Sequence, residues 1–444
     1  MSQYRLKPDG ACAALIAATL GLIAAPPALA RQEPAPLVAG STTKGGLVEG
    51  SQVIHVTNLD DSGPGSLRDA VAVQGPRVIV FDVGGAIRLA SDLKLQKPFL
   101  TIAGQTAPSP GISLWGASLR VRTHDVVIQH IAVRAGPGDT PAINDNRDAI
   151  SIDGNRASPL DQQSFDVRLE NVSASWSVDE ALSTWYETTH NITIRHSIVS
   201  EALNNAGHPK GQHSMGLLVG TNVGLVEVTG NLLASNMFRN PVMGKGASAY
   251  VANNYIVNPG QNAIHFYETE SEEATRATLV NNVIEAGPDT KPSLNAILLP
   301  APPAGVAPDA VYVEGNSTEL SAKATPLAVA AGQEAAESVP VEGASWRLLP
   351  TEAVKDNVLK YAGTRPADRD AVDRRLLSQI ADGSEKIVDA PPETPDIEPK
   401  TERVAAVPDD PFAATTDGRS RLEDWLCKEH FKVGGAPSND CPAT

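Results

Sequence analysis

The chain has 444 residues, of which 41% are hydrophobic, 20% charged and only 4% aromatic, so it can bury a large and mainly aliphatic core. Its 36 basic and 52 acidic residues give a net charge of −16, which argues against a nucleic-acid partner, because binding phosphates requires clustered Lys and Arg. An anionic polymer can bind such a chain only through a local cationic patch or a bridging metal ion.

Residues 1–30 have the pattern of a secretory signal peptide. Arg5 and Lys7 precede an apolar stretch at residues 11–25, and residues 28–30 supply the small side chains of a cleavage site. The apolar stretch is too short for a membrane span, and no later stretch approaches about 20 apolar residues. We therefore expect a secreted or periplasmic protein with no membrane span.

Residues 31–50 are expected to form a linker, and residues 51–320 contain a repeat of short alternating β segments. The segments align on the apolar residues Ile128, Ile152, Leu169, Ile194, Val228, Val251, Leu279 and Val313. Their mean spacing of about 26 residues is typical of a solenoid or a propeller. One strong strand with a weaker partner per repeat favours a right-handed parallel β-helix, which is an all-β fold. Because no amphipathic helix fits between most strands, a doubly wound sheet is excluded.

Three local features accompany the repeat. Asn254 and Asn282 occupy equivalent turn positions, where stacked amides can satisfy each other's hydrogen bonds in a ladder. The first coils are expected to include residues 53–56, 77–83, 99–104 and 118–122. Residues 65–71 are expected to form a short helix that caps the open N-terminal end of the β-helix.

The repeat stops at about residue 320, so residues 321–444 are interpreted as a C-terminal extension that packs outside the solenoid and is partly disordered. Residues 322–340 and 389–411 have the composition of linkers. Between them, residues 368–380 predict a short helix that begins at Asp and ends at Gly383. Cys427 and Cys441 remain once Cys12 is removed with the signal peptide, and they form either a local disulfide or two free thiols.

Acidic residues cluster on two neighbouring predicted coils. Asp145, Asn146 and Asp148 belong to one coil, and Asp179 and Glu180 belong to the next. Positions some 30 residues apart can almost touch in a β-helix, and such hard oxygen ligands suit Ca²⁺. The alternative interpretation is that they are solvated turn residues.

Basic residues follow on the next coils. Lys210 and His213 lie in one segment, and Arg239 and Lys245 lie in the next. In so acidic a chain, cations placed directly after the carboxylates indicate an anionic substrate bridged by a metal ion. Each of these residues is also common as a surface hydrogen-bonding group.

Together these motifs resemble those of pectate lyases of the first polysaccharide lyase family. The similar strings are RAGPGD (134–139), DAISIDG (148–154), SASWSVDEALSTW (173–185), LNNAGHPKGQHSMGLLVG (203–220) and NMFRNPVMGKG (236–246). The similarity covers about residues 50–300, and RPADRDAVDRRLL resembles a tail of bacterial members. The resemblance implies a parallel β-helix that cleaves polygalacturonate by Ca²⁺-assisted β-elimination.

The resemblance also implies roles for individual residues. Arg239 matches the base that removes the C5 proton, which implies an alkaline optimum, because an arginine normally has a pKa above 12. Asp148 and Asp179 match calcium ligands, and Asn146 stands where a further carboxylate is common.

Other positions depart from the family pattern. Ser183 replaces a third carboxylate, for which Glu180 or Asp145 can compensate. Lys210 is the nearest candidate for the lysine that grips the substrate. The second arginine of an R-x-P-x-x-R motif falls at Gly244, with Lys245 adjacent.

The sequence leaves two alternatives open. A polygalacturonase-type hydrolase needs an acid and a base carboxylate, which the acidic cluster can supply. A non-catalytic β-helix, either an adhesin or a uronan-binding protein, accounts for the departures from the family pattern. In each case we expect an acidic polysaccharide as partner, with His213, Lys245 and Trp185 as candidate contacts, and a monomeric protein.

Overall fold

Three parallel β-sheets form the walls of one solenoid in the computed structural model of the chain. The structure describes residues 35–155, 157–267, 271, 273–302, 308–344, 347–392 and 406–442. The predicted signal peptide lies outside these residues. Each coil contributes one strand to each sheet in turn, so the predicted parallel β-helix is confirmed.

The ten strands of the first sheet are Gln52–Val56, Arg77–Phe81, Leu100–Ala103, Val126–Gln129, Phe165–Glu170, His190–Arg195, Gly224–Thr229, Ser248–Ala252, Arg276–Val280 and Ala310–Glu314. The nine strands of the second sheet are Gly85–Arg88, Ile112–Trp115, Ile131–Arg134, Ser173–Ser175, Ile198–Ser200, Leu232–Ala234, Tyr255–Val257, Val283–Glu285 and Ser317–Glu319. The nine strands of the third sheet are Leu93–Leu95, Leu119–Val121, Ile150–Ile152, Glu180–Thr184, Met215–Val219, Val242–Gly244, Ile264–Tyr267, Asn295–Leu299 and Thr325–Val329.

The register of the first sheet matches the alignment of the repeat at all but one position. The residues that stack in one column are Ile128, Leu169, Ile194, Val228, Val251, Leu279 and Val313. Ile152 was wrongly aligned, because it lies in the third sheet between Val121 and Thr184. One coil therefore spans the whole distance from Ile128 to Leu169, with a long loop at 135–149 and twelve residues between the strands Ile150–Ile152 and Phe165–Glu170.

The inside of the solenoid is aliphatic, with a polar ladder at one turn. The side-chain oxygen of Asn254 accepts from the Asn231 amide at 3.0 Å, and Asn282 does the same for Asn254 at 2.9 Å. The ladder ends at Asn316, which accepts from Asn282 at 2.8 Å. The prediction for Asn254 and Asn282 is confirmed, and stacked amides thus satisfy buried polar groups in the four coils that carry Asn231, Asn254, Asn282 and Asn316.

The described helices are α1 (Leu67–Ala72), α2 (Pro141–Asn144), α3 (Val354–Tyr361), α4 (Ala371–Asp382) and α5 (Arg421–Lys432), with 3₁₀ turns at Gly104–Thr106, Leu160–Gln162 and Thr351–Ala353. Helix α1 is the predicted N-terminal cap, because Leu67, Ala70 and Val71 are buried in the main core. None of the helices within the described ranges is long and apolar enough to cross a membrane.

Two segments that we expected to be linkers contain strands. Leu37–Ala39, within residues 31–50, pairs in parallel with Val341–Gly343. Thr325–Val329, within residues 322–340, extends the third sheet by one strand beyond residue 320. Both linker predictions are wrong at these positions. Thr325–Val329 is an edge strand whose residues are mostly exposed, so its sequence lacks the apolar alternation that identifies a buried strand.

The described part of the C-terminal extension packs on the outside of the solenoid, as expected. Val354, Val358 and Leu376 contact the second sheet, and α5 packs its apolar side chains on the first sheet. Helix α4 is the predicted helix, with Asp370 as its N-cap and Gly383 (φ 70°) at its end. The predicted disulfide between Cys427 and Cys441 is present.

A buried ion pair joins α4 to the second sheet. The Arg134 guanidinium, which is completely buried, donates to Asp373 at 2.6 Å, and the Ser173 hydroxyl donates to the same carboxylate at 2.6 Å. Burial alone opposes ionisation of Asp373, but Arg134 and Ser173 outweigh it and lower the pKa of the carboxyl group. Asp373 therefore stays charged in the folded protein and holds the extension against the solenoid.

We expect Asp373→Ala to lower the free energy of unfolding by about 3–5 kcal/mol, because it leaves the Arg134 charge buried with a single carboxylate, that of Asp370. The lowered pKa means that the contribution of Asp373 is complete above its unfolded pKa of about 3.9 and is lost as the pH falls further. Urea denaturation at several pH values measures both effects. Asp382→Ala, at the exposed end of α4, is the control and should change stability little.

Candidate active site

The third sheet brings the candidate residues to one edge. Asp148, Asp179 and Arg239 each lie one to three residues before a strand of this sheet, namely Ile150–Ile152, Glu180–Thr184 and Val242–Gly244. Because the strands are parallel and in register, the residues that precede them share one side of the solenoid. The acidic and basic motifs of separate coils therefore meet in one groove.

Three carboxylates form the acidic part of the groove. Asp148, Asp179 and Glu180 each offer an oxygen, and these oxygens all lie within 4.8 Å of one another. Asp148 is buried and accepts from the Ser183 hydroxyl at 2.5 Å. Burial and the neighbouring Asp179 charge raise the pKa of Asp148 to about 7, against the effects of Ser183 and Arg120. This crowding of like charges is relieved by a cation, and the hard oxygen donors fit Ca²⁺.

The remaining acidic candidates lie on the loop that includes α2. Asn146 is exposed, and its backbone carbonyl accepts a hydrogen bond from Arg120. Asp145 lies 3.8 Å from the Lys210 ammonium and 3.7 Å from His208. Both residues line the same groove as Asp148. Ser183, which replaces a carboxylate of the family pattern, donates its hydroxyl hydrogen to Asp148.

Arg239 lies beside the carboxylates. Its backbone has a left-handed φ of 63°, and its guanidinium lies 5.9 Å from the centre of the Tyr267 ring while forming an ion pair with Glu180. Its side chain is 25% exposed, so it faces the groove. Burial lowers the pKa of Arg239, although Tyr267 and the nearby aspartates oppose this shift.

The other basic candidates have different environments. Lys210 is mostly exposed at the lip of the groove, whereas His213 is buried and lies 3.2 Å from Asp179. Lys245 is completely buried and forms an ion pair with Asp309 at 2.7 Å. The prediction that Lys245 contacts substrate is therefore wrong, because its ammonium group lies beneath the surface.

Trp185 lines the groove, and its ring packs against a glycine in the next coil. A Cβ atom on Gly220 would lie 2.9 Å from the Trp185 ring and 2.6 Å from the Thr184 carbonyl oxygen. The ring thus occupies space that any other residue at position 220 would fill. The full set of groove residues is Arg120, Asp145, Asn146, Asp148, Ser151, Asp153, Asp179, Glu180, Trp185, Tyr186, Lys210, His213, Thr221, Arg239 and Tyr267.

Sequence reasoning missed Arg120, His208 and Tyr267. Arg120 donates to Asp92 at 2.8 Å and to Asp153 at 3.1 Å, and it lies beside Asp148 at the floor of the groove. The sequence signal for Arg120 is its place between Leu119 and Val121 in a predicted strand, because successive side chains of a strand point to opposite faces. In the structure Arg120 pairs in register with Ser151 of the next coil. Tyr267 carries no comparable signal, because its strand was not among the aligned segments.

The solenoid and its charged groove place the chain in the class of parallel β-helix proteins, and comparison with known proteins identifies the family. A probable pectate lyase C of Neosartorya fischeri is 32% identical over 342 residues, which cover 74% of this chain and 72% of the relative. A probable pectate lyase C of Aspergillus fumigatus has the same identity and coverage. The chain belongs to the pectate lyase family and is a polysaccharide lyase.

Solved structures with a similar fold include cedar pollen allergen jun a 1, with 16% identity, a TM-score of 0.49 and coverage of 72% of this chain and 91% of the allergen. A pectate lyase from Bacillus sp. N165 in complex with trigalacturonate has 13% identity, a TM-score of 0.48 and coverage of 72% and 95%. No family model matches the chain.

We expect Gly220→Ala to displace the Trp185 ring and to lower the free energy of unfolding by about 1–3 kcal/mol, because the new methyl group overlaps the ring and a backbone oxygen. Acrylamide quenching of tryptophan fluorescence reports the displacement, and urea denaturation reports the stability. Gly224→Ala is the matched control, because its Cβ would meet only the His190 Cβ at 3.4 Å. Unchanged quenching in Gly220→Ala would contradict the packing described here.

Proposed function

We propose that the chain cleaves polygalacturonate by Ca²⁺-assisted β-elimination, with Arg239 as the base. The observation that supports this proposal is the position of Arg239 beside Asp148, Asp179 and Glu180 in one groove. In this reaction the proton leaves C5, the C5–H electrons form the C4=C5 double bond, and the C4–O4 bond breaks. The C4–O4 bonding electrons leave with the glycosidic oxygen, which stays on C1 of the released sugar and takes a proton from water. The products are a 4,5-unsaturated uronate end and a new reducing end.

Asp148, Asp179 and Glu180 would hold the calcium ion, and the exposed Asn146 is a further oxygen ligand. When bound, Ca²⁺ neutralises the uronate carboxylate and acidifies the adjacent C5 proton. Side chains of the groove that do not bind calcium would orient the sugar and accept that proton.

Arg239 accepts the C5 proton on a guanidine nitrogen. A free arginine is a poor base, but burial of this side chain lowers its pKa in the direction that the reaction needs. Because the neutral guanidine is the active form, activity should rise with pH, and the alkaline optimum stays a prediction.

Other groove residues would position the polymer. Lys210 is exposed and can pair with a uronate carboxylate, while Trp185 and Tyr186 offer apolar surface to a sugar ring. His213, expected to contact substrate, lies 3.2 Å from Asp179 and so also helps to hold that carboxylate.

The alternatives make different use of the same groove. A non-catalytic uronan-binding role is favoured by one observation, the ion pair in which the Arg239 guanidinium is already engaged with the Glu180 carboxylate. A hydrolase would use two of the same carboxylates as its acid and its base or nucleophile, and it would leave Arg239 without a role in the chemistry. We also propose that the chain is exported by its N-terminal segment and acts as a monomer.

We expect the purified protein to produce ultraviolet-absorbing unsaturated uronates from polygalacturonate with Ca²⁺, and to lose this activity with a chelator.

Arg239→Ala should lower kcat by at least about 100-fold, because general-base catalysis contributes about 10²–10⁴-fold. Asp179→Ala should raise the Ca²⁺ concentration needed for half activity. Arg88→Ala is the control, because Arg88 is an exposed arginine of the second sheet, outside the groove.

The products separate the three functions. New reducing ends without ultraviolet absorbance would indicate hydrolysis. Ca²⁺-dependent binding of the polymer without any turnover between neutral and alkaline pH would favour the non-catalytic role. Full activity of Arg239→Ala would exclude Arg239 as the base.

A further inference from the structure

A second group of metal-ligand side chains lies beside the three carboxylates. Asp179, His208 and His213 each offer one ligand atom, and these atoms all lie within 4.8 Å of one another. Nε2 of His213 lies 3.2 Å from Asp179 Oδ1, and Nε2 of His208 lies 3.8 Å from the same oxygen. Two imidazole nitrogens therefore approach one carboxylate oxygen on the side of the groove formed by the loop at 204–213.

Each of the two histidines is buried and has one ring nitrogen without a hydrogen-bond partner among the described residues. The His208 side chain has no exposed surface, and its Nε2 has no hydrogen-bond partner within the part of the chain that the structure describes. Among the same residues, Nδ1 of His213 also lacks a partner. An unpaired nitrogen of this kind is costly to bury unless another group binds it.

The loop that carries the histidines is held at its base and exposed at its tip. The Asn204 N–H donates to the Val388 carbonyl oxygen at 2.9 Å, and the His213 N–H donates to the Asn204 carbonyl oxygen at 2.7 Å. Between the two histidines, residues 209–212 are exposed. The histidine pair is thus positioned by the C-terminal extension, while the turn between them can adjust.

We propose that Asp179, His208 and His213 bind a borderline divalent cation of the Zn²⁺ or Co²⁺ type. Imidazole nitrogen suits these ions, whereas Ca²⁺ prefers oxygen alone. Tetrahedral coordination with Zn–N and Zn–O bonds of about 2.0–2.1 Å places neighbouring ligand atoms roughly 3.3 Å apart. The distances of 3.2 and 3.8 Å from Asp179 Oδ1 to the two nitrogens bracket this value. The Asp145 carboxylate, 3.7 Å from His208 Nε2, or water completes the shell.

Metal binding requires two local rearrangements. The His208 and His213 rings are stacked, with centroids 3.5 Å apart and 13° between their planes, so one ring must turn for both nitrogens to point at the same ion. The second rearrangement concerns a hydrogen bond of His208. Nδ1 of His208 accepts from the Lys210 N–H at 3.1 Å, so the ring proton is on Nε2 when no metal is bound. Coordination through Nε2 moves this proton to Nδ1 and turns the Lys210 N–H to solvent. Lys210 is exposed, so water replaces the lost hydrogen bond. His213 needs no such change, because its unpartnered Nδ1 can carry the ring proton.

The experiment uses the full chain, freed of metal by a chelator and then dialysed, with neither calcium nor polysaccharide present. Titration with Co²⁺ should give one bound equivalent and a visible absorption band of tetrahedral type. His208→Ala and His213→Ala should each weaken Co²⁺ binding at least about tenfold, by equilibrium dialysis, as expected for loss of a ligand. His55→Ala is the matched control, because His55 also pairs with an aspartate, Asp82, at 3.0 Å on the first sheet.

Thermal unfolding checks that each variant is folded, and Gln replaces Ala at any position where the Ala variant is not. In the wild-type protein alone, the electron paramagnetic resonance spectrum of bound Cu²⁺ should show coupling to two nitrogens. Absence of that coupling, or Co²⁺ binding by the double His208→Ala/His213→Ala variant that equals the wild type, would overturn the proposal. Because no substrate is present, these outcomes are independent of whether the chain has lyase activity.

Discussion

The constraint on which the site depends is the backbone hydrogen bonding between successive parallel coils. Neighbouring strands in a sheet lie about 4.8 Å apart, and their register is fixed by the aliphatic columns inside the solenoid. Side chains on adjacent coils are therefore held within a few ångströms even when they repel. Asp148 and Asp179 are brought together in this way, and the folded core, rather than any attraction between them, keeps them close.

That enforced proximity explains the chemistry available in the groove. Three carboxylates in one place require positive charge, and the chain supplies it in part through Arg120, Arg239 and Lys210. Ser183 adds a neutral donor where a further carboxylate would increase the repulsion. The carboxylates that line the groove therefore outnumber its arginine and lysine side chains.

Much of the architecture could be predicted from sequence because the solenoid repeats. The columns from Ile128 to Val313, the asparagine ladder, α4 and the disulfide all produce local patterns. The misplaced Ile152 shows where this reasoning fails, because the enlarged coil from Ile128 to Leu169 is longer than any other aligned step and so resembles two short coils in the sequence. The prediction that Lys245 contacts substrate is wrong for a related reason. The sequence shows that a lysine follows a strand, but it does not show that the buried Asp309 carboxylate lies within ion-pair distance of that lysine.

Glu180 has two roles in the groove, because it belongs to the group of three carboxylates and also forms an ion pair with Arg239. If the Glu180 carboxylate turned towards a bound cation, it would attract the Arg239 guanidinium less strongly. If it stayed with the guanidinium, it would bind the cation less strongly. Cation binding and the charge state of Arg239 are therefore linked through one side chain. In the proposed reaction, a cation bound by the carboxylates would thus alter the environment of the Arg239 guanidinium, because both depend on the Glu180 side chain.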